Sequence, residues 1–410
     1  MTTTIVREYR FLLAGLTLLL SLLTFACEQQ AATTTAQPPV TEKPSTKEYD
    51  YYDGPYITYQ GNQARILRVS PGSRTGVAEQ KVLSVEALRN KTIMVYPDGV
   101  DQQQQRLKAF GVKLFDYEAE DQWTFEQPEK VFAISDVECS FSNTVAILQA
   151  GGVIDEDYNW TYGRNHLVVN GDVFSRGLDM MALLWLLYKL DHEAMQAGGK
   201  MHLTIGNHEA MNLKGDVRYV MQRYLDMCDD MNLDYASLLN EHTELGRWLR
   251  TRHTIVRIGR TLIVHAGISK ELMALGLHTE QINSIVRRDL GKQTSELGEH
   301  SRVIFGTNGP HWYRGMVLVG DNRNPIFAEE IRPILHHYDV DRVVVGHCKD
   351  DDIYKLRDKL VVVIDVNHSR NRAEGRSRAL LLRNTGSGDE LFRIYDDGRR
   401  EPIPTGTPRE

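Results

Sequence analysis

Five oxygen or imidazole side chains in this 410-residue sequence each stand just past a short apolar run. Asp136 follows the run 131–134, Asp172 follows 166–169, Asn207 follows 201–205, His265 follows 262–264 and His347 follows 343–345. Asp, Asn and His are the ligand types that suit Mn, Fe or Zn, and they do not suit Cu(I) or an iron–sulfur cluster. Gly171, Gly206 and Gly346 precede three of them and allow the backbone to turn sharply enough to present each ligand. Singly, each piece is weak: a lone Gly-Asp is most often a turn, and a lone His after a strand is most often a satisfied core or surface residue. Five of them in order, all at strand ends, are hard to explain as turns.

The runs themselves alternate with amphipathic stretches, and a sixth run, 360–364, follows the last of them. That rhythm is the mark of buried strands in an α/β architecture, in which ligands gather outside the carboxyl ends of the strands. The sixth run closes on Asp365-Val366-Asn367-His368, which reads as a strand terminus. The stretch 180–190 is the most apolar helix candidate, and eleven residues are too few to cross a bilayer. Upstream, 51–117 carries shorter β-like runs at 56–59, 64–69 and 92–96, separated by turn signals. It holds no His, so a small β-rich accessory module over 49–128 with a structural or docking role is expected, followed by a catalytic domain over 129–400 and a polar tail over 401–410. No fixed-period repeat argues for a solenoid or propeller.

Composition narrows the class. The chain is 41% hydrophobic and 25% charged, which excludes a polytopic membrane protein and a wholly disordered one. A net charge of −7 argues against a nucleic-acid partner. The four cysteines, Cys27, Cys139, Cys228 and Cys348, are too few and too scattered for a disulfide scaffold, and Cys139 and Cys348 read as small buried thiols.

The first 27 residues have the layout of a secretory signal: Arg7 and Arg10, an apolar run over 11–23, then Ala26-Cys27. Cys27 resembles the lipid-modified cysteine of bacterial lipoproteins, although Thr24 and Phe25 depart from that pattern. Residues 28–48, rich in Gln, Thr, Ala and Pro, read as a disordered tether. The expectation is an exported protein, lipid-anchored to a bacterial membrane through Cys27, on its periplasmic or cell-surface face.

The ordered motifs resemble those of the calcineurin-like metallophosphoesterases, within them the phosphoprotein phosphatase branch and its bacterial-type, Shewanella-like members. Gly171-Asp172-Val173-Phe174-Ser175-Arg176-Gly177 is similar to the family's Gly-Asp-x-x-Asp-Arg-Gly, and Gly206-Asn207-His208-Glu209 is identical to its Gly-Asn-His-Glu. His265-Ala266-Gly267-Ile268-Ser269 is similar to its His-Gly-Gly-Leu-Ser, and the segment from Gly309 through Trp312, Tyr313 and Arg314 to Gly315 resembles the sub-branch's Trp-x-Arg-Gly. The resemblance spans about 130–368. It implies an αββα β-sandwich flanked by helices and two divalent metal ions, about 3.5 Å apart as in two-metal hydrolases generally.

Asp172 would bridge the ions; Asp136 and Glu138 would hold the first, and Asn207, His265 and His347 the second. A water deprotonated between them would attack phosphorus. Arg176 and Arg314 would grip the phosphate, and His208 would protonate the leaving oxygen. The implied substrate is a phosphomonoester, on a phosphoprotein or, alternatively, a small molecule or nucleotide. A catalytically impaired binding lipoprotein is a further alternative.

Two departures bear on this. Glu138 stands where the family has His, which would favour Mn or Fe over Zn. Ser175 stands where the family has the Asp that orients the general-acid His; a hydroxyl can accept from His208 but does not stabilise an imidazolium, so either His208 is a weaker acid here or another carboxylate, Asp179, stands in.

Overall fold

Strands whose alternate side chains are both apolar must be covered on both faces, and that requirement shapes the molecule. The computed structural model describes residues 48–73, 79–98, 107–119, 121–368, 373–374 and 377–409. The expected signal over 1–27 and nearly all of the expected tether lie outside the described residues. Three antiparallel strands come first, β1 (Asp53–Gln60), β2 (Gln63–Val69) and β3 (Glu79–Ser84), then the antiparallel pair β4 (Thr92–Val95) and β5 (Phe110–Lys113). There follow β6 (Thr124–Phe125), β7 (Lys130–Ile134), β8 (His166–Val169), β9 (Lys200–Leu203), β10 (Ile255–Ile258), β11 (Thr261–Val264), β12 (Arg342–Val345), β13 (Tyr354–Leu356) and β14 (Val361–Val363). A meander of β15 (Arg378–Asn384), β16 (Asp389–Tyr395) and β17 (Arg400–Pro402) closes the chain.

Two six-stranded sheets result, ordered β17-β16-β15-β7-β8-β9 and β13-β14-β12-β11-β10-β6. Strands β7, β8 and β9 run parallel in one sheet, and β11, β12 and β14 run parallel in the other. Val131, Ala133, Val168, Val256, Ile263, Val344, Val362 and Leu380 pack together between the sheets. Their neighbours Phe132, Ile134, Leu167, Leu262, Val343, Val345 and Leu381 join the other core, with the helices. One-residue alternation between two cores is the signature of a sheet sandwich covered by helices, the αββα arrangement expected. The six apolar runs read as strands correspond to β7, β8, β9, β11, β12 and β14.

The helix Met180–Gln196 is buried on every side from Met180 to Leu190, because it lies between the first sheet and the N-terminal strands. Trp185 Nε1 donates to Pro55 O at 2.9 Å, and Tyr188 Oη donates to Glu244 at 2.6 Å and accepts from Phe115 N at 3.2 Å. Filling this layer is worth about 1.5–3 kcal/mol for each large apolar side chain. The segment expected as an accessory module thus shares the main core, and its last strand, β6, forms the edge of the second sheet beside β10. The last ten residues, expected as a polar tail, are pinned: Thr405 bridges to Lys355 and Arg409 to Leu318. Among the described residues no helix is long and apolar enough to cross a membrane.

Candidate metal centre

Four ligand candidates sit in the loops after β7, β8, β11 and β12, and Asn207 opens the helix Asn207–Leu213 after β9; both sheets deliver these segments to one edge of the sandwich. The loops are bent hard. Asp136, Glu138, Asp172, Ser175, Arg176 and His347 have φ between 48° and 73°, the left-handed region that costs an L residue about 1–2 kcal/mol. Such strain survives only where the surroundings fix it, typically at functional sites. Glycine is required at the closest approach: a Cβ on Gly171, itself at φ 74°, would lie 2.7 Å from His265 Nδ1.

The side chains converge. Asp172 Oδ2 lies 3.3 Å from His265 Nε2 and 3.8 Å from His208 Nε2, while Asp172 Oδ1 accepts the His208 backbone N–H at 2.9 Å. The rings of His265 and His347 are 5.1 Å apart. Asp136 Oδ2 accepts from Ser135 Oγ at 2.5 Å and from the His347 backbone N–H at 3.1 Å. Donor atoms of Asp172, His265 and His347 all lie within 4.8 Å of one another, and all three residues are buried.

Asn207 tests whether a cation fits. The position of its amide oxygen is 2.8 Å from His347 Nδ1, 3.1 Å from His265 Nε2, 3.2 Å from Asp172 Oδ2 and 3.3 Å from His311 O, so with lone pairs on both imidazole nitrogens the oxygen faces acceptors only. Turning the amide over would relieve this, and so would a cation among the four groups. One carboxylate, two imidazoles and an amide oxygen are a donor set for a divalent transition ion, and the residues fit one.

The electrostatics agree. Burial alone would lower the pKa of His265, yet Asp172 and Asp136 raise it to about 10. Burial pushes Asp172 up, but His265, with help from His208 and His347, holds it well below the usual carboxylate range. The shift measures the positive charge that these buried carboxylates demand, which a bound cation would supply in place of a proton.

Around the centre, Glu209 ties two ligand loops together. Its carboxylate accepts from Gly206 N at 2.7 Å, Asp172 N at 2.9 Å and Val173 N at 2.7 Å. The guanidinium of Arg176 lies 5.0 Å from the ring centre of Tyr219, and that ring is 5.2 Å from the ring of His208. Tyr219 is 42% exposed, so one face of this stack is open. Arg314 donates from Nη1 to His347 O at 2.7 Å, and the Trp312 ring stands edge-on to His347 at 5.7 Å.

Residues 129–348, more than half the chain, match the calcineurin-like phosphoesterase family. The chain belongs to that family. It is similar to Shewanella-like protein phosphatase 2 of Arabidopsis thaliana, 27% identical over 315 residues that cover 64% of this chain and 77% of that protein. It is also similar to Shewanella-like protein phosphatase 1 of Plasmodium berghei (strain Anka), 29% identical over 228 residues, 54% of this chain and 61% of that protein. The crystal structure of a cold-active protein-tyrosine phosphatase from a psychrophilic Shewanella superposes with a TM-score of 0.71 at 31% identity, covering 86% of this chain and 99% of that one. This calcineurin-like phosphoesterase is therefore a phosphoric monoester hydrolase, of a family whose members hold divalent metal ions.

Within this phosphoesterase the two departures have definite geometry. The Glu138 carboxylate is paired with Arg176 and with Lys349 Nζ, the latter at 2.9 Å. Ser175 Oγ accepts from Asn212 Nδ2 at 3.0 Å, and Asn212 Oδ1 in turn accepts from Tyr235 Oη at 2.6 Å. The buried Nδ1 of His208 has no hydrogen-bond partner, so Ser175 does not orient that ring. Asp179 does not either: the charges acting on it are those of Asp98, Arg223 and Asp53, and one of its oxygens is also unpartnered. Cys139, Cys228 and Cys348 are buried free thiols, as expected of the two beside the ligand loops.

Two residues at the site escaped the sequence reading. Glu209 was visible as the fourth residue of a Gly-Asn-His-Glu cap, but its reach into the Asp172 loop was not. Tyr219 lies in an irregular stretch between helices and carries no periodic signal.

Proposed function

We propose that this phosphoesterase hydrolyses phosphomonoesters on proteins, phosphotyrosyl groups foremost, at a centre of two divalent ions. The observation that carries the metal centre is the meeting of the Asn207 amide oxygen with Asp172, His265 and His347, whose own ligand atoms lie within 4.8 Å of one another. Asn207, His265 and His347 would hold one ion and Asp136 the other, with Asp172 shared; Glu138, paired with Arg176 and Lys349, would join Asp136 only on release from them. Bound ions supply Lewis acidity, bringing the pKa of water toward neutrality and polarising phosphoryl oxygens.

The chain's own residues do the rest. Arg176 and Arg314 present planar forks that match phosphate oxygens and favour the charge gathered in the transition state. Arg176 must leave Glu138 in part to do so; its side chain is 43% exposed. His208 protonates the leaving oxygen. Burial lowers its pKa against the pull of Asp172, and among the described residues no carboxylate is hydrogen-bonded to Nδ1 to steady an imidazolium.

A weakened general acid costs little when the leaving group is a phenol, whose pKa near 10 is far below that of an alkyl alcohol. That favours aryl phosphates, as does the open face of Tyr219, and the Shewanella relative is named a protein-tyrosine phosphatase. The test is turnover of phosphotyrosyl peptides against phosphoseryl peptides and nucleoside monophosphates, with Mn2+, Fe2+ or Zn2+ added to metal-free enzyme. Faster hydrolysis of the nucleotides would assign the centre to small molecules instead.

Export with lipidation at Cys27 is proposed from the sequence alone. Labelling of cells with a fatty-acid probe, lost on Cys27→Ser, is the expected result; unchanged solubility and no label would contradict it.

A further inference from the structure

We infer that Asp365 is a carboxylate of the first ion position, supplying a donor that the replacement at Glu138 withdraws. The inference rests on the metal-centre reading above.

Asp365 stands just past the carboxyl end of β14, the strand that pairs with β12 in parallel, Val345 opposite Val363. Ile364 N donates to Val345 O at 2.8 Å and Asp350 N donates to Asp365 O at 2.9 Å, which sets Asp365 beside the turn that carries His347. Three residues on, His368 Nε2 is 3.0 Å from Ser135 O, tying the same loop to the residue before Asp136. A sixth strand end thus arrives between two ligand loops.

The side chain is 1% exposed, and its Oδ1 has no hydrogen-bond partner among the described residues. The charges acting on it are those of Asp136, Glu138 and Asp172, with Lys349 opposing them. A buried carboxylate oxygen without a partner is costly unless something neutralises it. A proton would neutralise Asp365 alone, whereas a divalent ion held by it would offset the neighbouring carboxylates as well.

The donor count points the same way. Glu138 is engaged by Arg176 and Lys349, leaving Asp136 and the shared Asp172 for the first ion. Catalytic sites usually offer three protein ligands or more. Asp365 restores the third, and an all-oxygen set selects a hard ion, Mn2+ or Mg2+, over Zn2+.

The test is Mn2+ titration of the metal-free full chain, followed by electron paramagnetic resonance, for the wild type and Asp365→Asn, with the thermal transition of each metal-free chain as a folding control. The expected result is two ions in the wild type and, in the variant, an intact second position with the first weakened by about 10- to 100-fold. First-position affinity within about twofold of wild type would make Asp365 a neutral buried acid and overturn the inference while leaving the metal centre standing. No Mn2+ binding by the wild type would overturn both. If the variant does not fold, a crystal structure of the Mn2+-loaded wild type decides: an Asp365 oxygen at about 2.2 Å from the first ion supports the assignment, and a carboxylate outside its coordination sphere overturns it.

Discussion

Glu209 holds Asp172 from the neighbouring loop: one carboxylate oxygen accepts both the Asp172 and the Gly206 backbone N–H, and the other accepts that of Val173. The residue that would be shared by both ions is therefore positioned by the loop that carries Asn207. Burial and the nearby Asp172 raise the Glu209 pKa to about 7.

Glu209→Ala frees both loops, whose backbone at Asp172 sits at an unfavourable positive φ. Metal affinity should fall by about 10- to 100-fold, the range seen when groups behind metal ligands are removed. Isothermal titration with Mn2+ checks this; unchanged affinity would mean the loops hold themselves.

His208→Asn should keep both ions and lose general-acid catalysis. Hydrolysis of alkyl phosphates should slow by about 10²- to 10⁴-fold, and that of an activated aryl phosphate far less. Equal losses on both substrates, with metal content unchanged, would remove His208 from proton transfer.

Tyr219→Leu removes the ring that lies against Arg176 and His208. Aromatic contacts are worth about 0.5–1.5 kcal/mol, so KM for phosphotyrosine should rise by about 2- to 10-fold with little change for an alkyl phosphate. A uniform change across substrates would show that the ring only packs.

Between the sheets, His166 Nδ1 and His202 Nε2 are 3.2 Å apart, covered by Phe125, whose ring is 4.6 Å from that of His202. Burial lowers the pKa of His166 to about 4, and that of His202 well below its ordinary value. The unfolded chain takes up these protons near pH 6.5 and the folded chain does not, so their contribution is complete above about pH 6.5 and is lost as pH falls toward 4. Urea denaturation between pH 7 and 4 should show falling stability, with a shallower fall in His166→Gln. An identical pH profile in the variant would place the acid sensitivity elsewhere.

Much of this centre was legible because buried parallel strands are short unbroken apolar runs, and the residue after each run is where an α/β sheet delivers its chemistry. The runs before Asp136, Asp172, Asn207, His265 and His347 pointed to both the strands and the residues that meet beyond their ends. The sequence was less informative where a strand borrows its cover from afar. β6 is two residues long and exists only by pairing with β10, so the segment before 129 read as a separate module. The turns inside the meander β15–β17, at 385–388 and 396–399, interrupt its apolar runs and mask its pairing. Tertiary contacts also decide the rim: whether Ser175 meets His208 or Asn212, and whether Glu138 faces a metal or two cations, depends on side chains distant in sequence.

The most direct test of the metal centre is the metal content per chain, measured by elemental analysis alongside hydrolysis of phosphotyrosine, for the wild type and Asp172→Asn. Two ions per wild-type chain, with both metal and turnover lost in the variant, is the expected result. A wild-type chain that hydrolyses phosphotyrosine equally well after exhaustive chelation, or an Asp172→Asn variant that keeps two ions and full activity, would contradict it.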